Sequence, residues 1–277
     1  MPIKLLALAA MLAAGPANPV RPLKLSRIPH ISQEATRQEN EPLAAYLSQR
    51  LGQKVVLEIP KDYDAVIGQL ARGEVDIAIL APLTYVVAKK RMPELLVVAQ
   101  LVAEGSGQYW SYIVTAADGP IKALPELSGK TFAFVDRRST SGYLLPLGML
   151  HAAGVKVGPA SFVGSHPDVV DLVLKHKVDA GAIASTTFGH MRDANLKERL
   201  RILAKSDPVP FDAVVVQPNL PKATVALLRT TLLELSTRTD EGRAVLQGLT
   251  LSNGFVEGSD ANYDGVRKTV ERVGLSP

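Results

Sequence analysis

The sequence predicts an α/β protein made of two doubly wound lobes joined by two crossing strands. Three features lead to this prediction. Apolar, strand-like runs alternate with helical segments in two separate series. Two extended stretches rich in β-branched residues, near residues 110–115 and 212–217, connect the two series. The chain has 277 residues and is 47% hydrophobic, which is enough to bury the cores of two lobes.

The first series runs from residue 23 to residue 103. Gly52 and Gly73 each follow a helical segment at the position where a left-handed residue ends a helix, and Pro82 opens the next helix. Residues 75–80 are almost entirely apolar, as in a buried parallel strand. The predicted strands are 23–28, 55–59, 75–80 and 95–103, and the predicted helices are 34–51, 62–72 and 82–91. This βαβαβ succession predicts a parallel sheet.

The second series begins after the turn-prone residues 117–120. It predicts strands at 131–135, 160–162 and 180–184, helices at 142–153 and 167–176, and further helices at 222–239, 240–247 and 263–273. Residues 23–110 and 216–277 then form lobe 1, and residues 111–215 form lobe 2. Two lobes joined by two crossing strands leave a cleft between them, and clefts of this kind bind small molecules.

The N-terminus has the pattern of a cleaved signal peptide at residues 1–17. Lys4 precedes an apolar run at residues 5–14, and Gly15 and Ala17 fit the small-residue pattern of a cleavage site. The alternative is an uncleaved anchor or an apolar first helix, but the run is too short to span a bilayer of about 30 Å. We therefore expect export and a periplasmic mature protein.

The composition and the motifs exclude several classes of chemistry. The chain has no cysteine, which removes disulfides, thiolate metal sites and thiol nucleophiles. Its 31 basic and 27 acidic side chains are dispersed along the sequence, so no nucleic-acid partner is expected. Residues 128–131 imitate the end of a phosphate-binding loop, but Leu124 stands where that motif has glycine. The five histidines show no ligand spacing, so we expect no metal and no cofactor.

A run of three hydroxyl side chains marks a candidate anion site. Ser139, Thr140 and Ser141 follow the strand at 131–135 and open the next helix, where the first backbone N–H groups have no partner within the helix. Hydroxyls, amides and the positive helix end can together surround a tetrahedral oxyanion. The alternative is that one serine simply caps the helix.

Other turns between a strand and a helix offer further donors. Tyr63 begins the helix at 62–72, and Tyr85 lies in the helix opened by Pro82. His166 immediately precedes Pro167 at another helix start. A phenolic O–H or an imidazole N–H at these places can reach an anion held between the lobes. The alternatives are packing roles for the tyrosines and helix entry for the histidine.

Several sequence segments, in the order in which they occur along the chain, resemble one family. They are Asp62-Tyr63 and residues 73–85, 127–130, 139–143, 164–166 and 178–182. The set is similar to the phosphonate- and phosphite-binding periplasmic receptors of ABC transporters, and the similarity runs from about residue 23 to residue 273. It implies a type II periplasmic binding protein whose oxyanion is held by Ser139, Thr140, Ser141, Tyr63, Tyr85 and His166. Asp212 falls near the acid that amine-recognising members use.

One departure from this resemblance concerns the ligand's tail. Members that bind an aminoalkyl tail also have a glutamate shortly after the strand at 180–184, whereas this sequence has Ser185-Thr186-Thr187 there. Thr186 is therefore the expected tail contact beside Asp212, and it offers a hydroxyl in place of a carboxylate. The resemblance thus predicts a compact ligand without an ammonium group.

The resemblance implies a solute-binding protein, not an enzyme, that delivers a small phosphorus oxyanion to an ABC transporter permease. We expect it to be a monomer. One alternative is a sensing module of the same fold that reports to a membrane sensor. An alternative of another class is a periplasmic phosphoryl-group hydrolase, against which the missing metal cluster and the missing activated nucleophile argue.

Overall fold

The computed structural model describes residues 21–103, 105–191, 193, 195–247, 249 and 252–275. The predicted signal peptide at residues 1–17 lies outside the described residues. Within them, none of the helices combines the length and the apolar character needed to cross a membrane.

Strands and helices alternate along most of the described chain. The strands are β1 (Leu23–Arg27), β2 (Val55–Glu58), β3 (Ile77–Leu80), β4 (Leu96–Ala103), β5 (Gln108–Tyr109), β6 (Ser111–Ala116), β7 (Phe132–Phe134), β8 (Ala160–Phe162), β9 (Ala180–Ala184), β10 (Leu200–Lys205), β11 (Val209–Pro210), β12 (Ala213–Val216) and β13 (Ser252–Val256). The helices are α1 (Gln33–Leu51), α2 (Tyr63–Ala71), α3 (Pro82–Arg91), α4 (Leu145–Ala152), α5 (His166–Leu174), α6 (Thr187–His190), α7 (Leu196–Arg199), α8 (Lys222–Glu234), α9 (Asp240–Leu246) and α10 (Asp264–Arg272).

The first sheet has six strands in the order β13-β4-β12-β3-β1-β2. Strands β1, β2 and β3 are parallel, as the βαβαβ pattern predicts. β4 is not bonded directly to them, because β12 inserts antiparallel between β3 and β4. β13 pairs antiparallel with β4 at the edge, between the predicted helices at 240–247 and 263–273, where no strand was predicted. The sheet is therefore mixed, with a parallel half and an antiparallel half.

The second sheet has five strands in the order β10-β6-β9-β7-β8. β7, β8 and β9 are parallel, and β6 and β10 add two antiparallel pairings at one side. Neighbouring residues on its strands bury opposite faces: Phe132 and Ile113 pack in one apolar cluster, and Ala133 and Val114 in another. The sheet is thus covered on both faces, as a doubly wound fold requires.

The chain passes between the two sheets twice, and the two passages pair with each other. β5 and β11 form an antiparallel two-stranded ladder. Beside it the rings of Tyr109 and Phe211 stack with centroids 4.8 Å apart. The predicted crossing strands continue into the sheets, since β6 belongs to the second and β12 to the first. We propose that the lobes divide at this ladder, which assigns residues 213–215 to lobe 1 and not to lobe 2.

Candidate functional site

A cavity of about 80 Å³ lies where elements of both sheets meet the β5–β11 ladder. Its lining includes residues that follow strands β1, β3 and β7 and residues from the ladder itself. Seven of the eight predicted site residues line it: Tyr63, Ser139, Thr140, Ser141, His166, Thr186 and Asp212. The carboxyl ends of parallel strands, where ligands bind in open α/β sheets, thus supply most of these groups.

The three hydroxyl residues form the start of a π-helical turn, Thr140–Leu144, that precedes α4. The Gly142 N–H donates to Ser139 Oγ (3.0 Å), and the Leu83 N–H donates to Thr140 Oγ1 (2.8 Å). Ser111 Oγ donates to the Ser141 carbonyl oxygen (2.6 Å). Because Ser139 and Thr140 accept backbone N–H groups here, each hydroxyl can donate its proton to the neighbouring phenol, Tyr63 or Tyr109, or to a ligand. Capping the helix and lining the cavity are therefore compatible roles for Ser139.

Gly142 allows this turn to lie directly against the end of β7. A Cβ atom at Gly142 would come within 2.4 Å of Val135 Cγ2 and 2.8 Å of Ser139 Oγ. The Val135 N–H also donates to the Gly142 carbonyl oxygen (3.1 Å), which closes the turn onto the strand. The positions of the hydroxyls thus depend on a residue without a side chain.

Two tyrosines contribute phenols to the cavity. Tyr63 begins α2 directly after Asp62, whose side chain accepts the Ala65 N–H and caps the helix. Tyr109 belongs to the β5–β11 ladder and was predicted only as part of a crossing strand. Burial raises the pKa of both phenols above the usual value, and the negative charge of Asp212 acts in the same direction. Both phenols therefore stay protonated and remain hydrogen-bond donors.

His166 is the first residue of α5, after the capping residue Ser165. The Ala184 N–H donates to His166 Nδ1 (3.1 Å). A neutral imidazole that accepts at Nδ1 carries its proton on Nε2. The strand end at Ala184 thus selects the tautomer that donates from Nε2.

Asp212 forms a buried ion pair that sequence reasoning did not find. Arg27 Nη1 lies 2.8 Å from Asp212 Oδ2, and the two residues are 5% and 8% exposed. Arg27 is the last residue of β1, and it lines the cavity together with Asp212. Arg27 ends a strand in which apolar and polar residues alternate, so its position in the sequence gave no signal. The carboxylate expected to receive a ligand's ammonium group already has a cationic partner.

The prediction that Tyr85 faces the cleft is wrong. Tyr85 is completely buried and does not line the cavity. It lies one turn into α3, so its ring points toward the C-terminal helix and packs on Tyr263 with centroids 4.7 Å apart. Its hydroxyl donates to Asp260, which also pairs with Arg267. Tyr85 therefore joins α3 to the segment before α10 and has a structural role.

This correction leads to a prediction for two matched variants. Tyr85→Phe should change ligand affinity by less than about twofold and lower the free energy of unfolding by about 1 kcal/mol, because one hydrogen bond to Asp260 is lost. Tyr63→Phe removes a phenol that lines the cavity and should weaken binding. Calorimetry and thermal unfolding of both variants make the comparison. A larger affinity loss in Tyr85→Phe than in Tyr63→Phe would show that the two tyrosines have been assigned the wrong roles.

Among the residues that the structure describes, no group of three or more histidine or acidic side chains is arranged to hold a metal ion. The donors around the cavity are hydroxyls, phenols, two imidazoles and a guanidinium. Such a set holds an anion by hydrogen bonds.

A family model confirms the resemblance noted in the sequence. The model for "ABC transporter, phosphonate, periplasmic substrate-binding protein" matches residues 25–263. The chain belongs to this phosphonate-binding family. The match covers both sheets and every residue of the site described above.

Two curated relatives are similar over most of the chain. The phosphate-import protein PhnD of Mycolicibacterium smegmatis is 26% identical over 275 residues, with 91% of this chain and 86% of the relative covered. The phosphonates-binding periplasmic protein of Escherichia coli is 28% identical over 229 residues, with 79% and 67% covered.

A solved structure supports the fold of the phosphonate-binding family for this chain. PhnD1 from Prochlorococcus marinus, in complex with methylphosphonate, superimposes with a TM-score of 0.85 at 21% identity. The match covers 94% of this chain and 100% of that one. The predicted α/β fold of a type II periplasmic binding protein is thereby confirmed.

Proposed function

We propose that this protein captures a small phosphorus oxyanion, such as phosphite, a phosphonate or phosphate, and delivers it to an ABC transporter permease. The observation that carries the proposal is the set of donors around one cavity. Ser139 and Thr140 come from the second sheet's side, Tyr63 from the first, and Tyr109 from the ladder between them. A tetrahedral anion accepts hydrogen bonds in several directions at once, which suits donors that converge from both sides.

The same proposal includes the cellular location and the oligomeric state of the protein. The leader at residues 1–17 is cleaved on export, and the mature protein acts in the periplasm as a monomer. No bond of the ligand is made or broken. Membership of a family of transport receptors supports this view. A phosphatase assay with and without divalent metal ions should show no turnover, and measurable hydrolysis would favour the hydrolase alternative.

Selectivity follows from the ion pair between Arg27 and Asp212. An ammonium tail that enters a partly dry cleft loses hydration, and a carboxylate must replace it. Asp212 already pairs with Arg27, and Thr186 supplies only a hydroxyl. We therefore expect methylphosphonate and phosphite to bind more tightly than 2-aminoethylphosphonate.

Calorimetry with phosphite, methylphosphonate, phosphate, 2-aminoethylphosphonate and sulfate tests the function. At least one phosphorus oxyanion should bind, and small-angle scattering should show a more compact particle with that ligand, because donors from both lobes reach it only in the closed form. Absence of binding to all four phosphorus compounds, in protein shown to be folded and free of carried-over ligand, would overturn the proposal.

A further inference from the structure

The buried arginine Arg27 brings a guanidinium to the wall of the cavity. Arg27 is only 5% exposed and lines the cavity. Nη1 pairs with Asp212 Oδ2, whereas Nε is buried and has no hydrogen-bond partner among the described residues. A guanidinium carries five N–H donors in a planar fork. The ion pair neutralises the charge of Arg27 and engages Nη1, but it leaves Nε without an acceptor.

A second buried donor without a partner lines the same cavity. Thr187 is 1% exposed, and its Oγ1 atom has no hydrogen-bond partner among the described residues. Buried polar groups in folded proteins are nearly always hydrogen-bonded. Thr36, Asn40, Arg201 and Thr231 also have unpartnered buried atoms, but only Arg27 and Thr187 line this cavity, where an acceptor could bind. The group that completes this site must accept hydrogen bonds, which an ammonium group cannot do.

The other charged groups around the cavity do not alter this conclusion. Glu39 also lines it, and His30 Nε2 faces the Glu39 carboxylate at 3.9 Å. Asp212 is held by Arg27. The two carboxylates thus each have a basic neighbour, whereas the unsatisfied atoms belong to Arg27 and Thr187.

We propose that Arg27 is a specificity-determining residue that, with Thr187, receives an acidic group on the ligand's tail. The ligand class is then a phosphonate that carries a second acid, with a carboxylate as the best match to a planar guanidinium. This inference rests on the proposed function, since it takes the oxyanion site at residues 139–141 as given. Arg27 selects the charge of the tail, and the hydroxyl turn holds the phosphorus group.

Three phosphonates of similar size test the inference by calorimetry. Phosphonoacetate carries an anionic tail, 2-hydroxyethylphosphonate a neutral tail and 2-aminoethylphosphonate a cationic tail. The parent protein should bind phosphonoacetate at least tenfold more tightly than 2-aminoethylphosphonate, with the neutral compound between them. Arg27→Gln should reduce that ratio at least tenfold, because the tail then meets the uncompensated carboxylate of Asp212.

Two further variants keep the test decisive. Arg27→Gln leaves Asp212 buried without its partner, so the double variant Arg27→Gln/Asp212→Asn serves if the single variant does not fold. It should also lose the preference for the anionic tail. Arg21→Gln is the matched control, because Arg21 pairs with Asp76 and does not line the cavity. It removes the same charge and should leave the ratio unchanged.

The possible results separate this inference from the proposed function. If phosphite and all three phosphonates fail to bind, the proposed function fails. If phosphite binds but the tailed phosphonates bind equally, prefer the ammonium tail or are all excluded, the role of Arg27 is overturned and the proposed function stands. A ratio that is the same in the parent and in both Arg27 variants also overturns it.

Discussion

Replacing both Ser139 and Thr140 by alanine is expected to weaken binding of a phosphorus oxyanion by about a hundredfold or more. Each hydroxyl can donate its proton to the ligand, because its oxygen accepts a backbone N–H from Gly142 or Leu83. A hydrogen bond to a charged group is worth about 1.5–3 kcal/mol. Two such bonds therefore account for about 3 kcal/mol or more, and 1.4 kcal/mol is tenfold in affinity. Calorimetry with phosphite or methylphosphonate gives the measurement.

The structure also predicts a loss of stability in this variant, because Ser139 caps the turn. Removing a capping side chain costs about 1 kcal/mol. Thr239→Ala is the matched control: Thr239 caps α9 by accepting the N–H of Gly242, three residues on, at the same distance of 3.0 Å. It should lose similar stability and no affinity. If the control weakens binding as strongly as the double variant, the effect comes from stability and not from the oxyanion contacts.

Gly142→Ala is expected to displace the turn that carries the hydroxyls of the site. The added methyl group would overlap Val135, with contacts of 2.4 and 2.5 Å to its side chain, so the turn must move away from β7. Overpacking of this kind costs about 1–3 kcal/mol. Because the hydroxyls are carried by the same turn, affinity should fall more than tenfold. Thermal unfolding and calorimetry on the same sample measure both effects.

Gly148→Ala supplies the control for this substitution. Gly148 lies within α4, and a Cβ there meets Thr269 and Val273 at 3.5 and 3.6 Å, which are ordinary contacts. Alanine is favoured over glycine in a helix interior by about 1 kcal/mol, so this variant should be neutral or slightly more stable and bind normally. Unchanged affinity and stability in Gly142→Ala would mean that the close approach to Val135 has been overestimated.

The hydroxyl turn and the tyrosines Tyr63 and Tyr85 show how far local sequence reasoning reaches. Strand-to-helix turns place their first residues at the carboxyl edge of a sheet, so Tyr63, Ser139 and His166 were predictable from position alone. Tyr85 also lies near such a turn, but one helical turn further its side chain faces α10. The direction of a side chain within a buried helix depends on which neighbour packs against it, and that neighbour is distant in sequence.

Tyr109 and Arg27 show the opposite case, in which the functional signal exists only in three dimensions. Tyr109 lies on a short ladder strand, and its phenol reaches the cavity because β5 pairs with β11, some hundred residues away. Arg27 ends a strand like many other residues, and only its approach to Asp212 from the returning segment reveals a buried charge pair. Neither residue has a local pattern that distinguishes it.

The sequence by itself determined the alternation of strands and helices, the two series, the hydroxyl turn and the family, because these depend on short-range periodicity, on turn chemistry and on motifs in order. Tertiary structure alone decided that β12 inserts between β3 and β4, that Tyr85 turns away from the cleft and that Arg27 neutralises Asp212. The physical reason is that strand insertion, side-chain direction and charge pairing are set by contacts between distant segments. Such contacts are stabilised by burial in the folded chain and leave no local periodicity in the sequence.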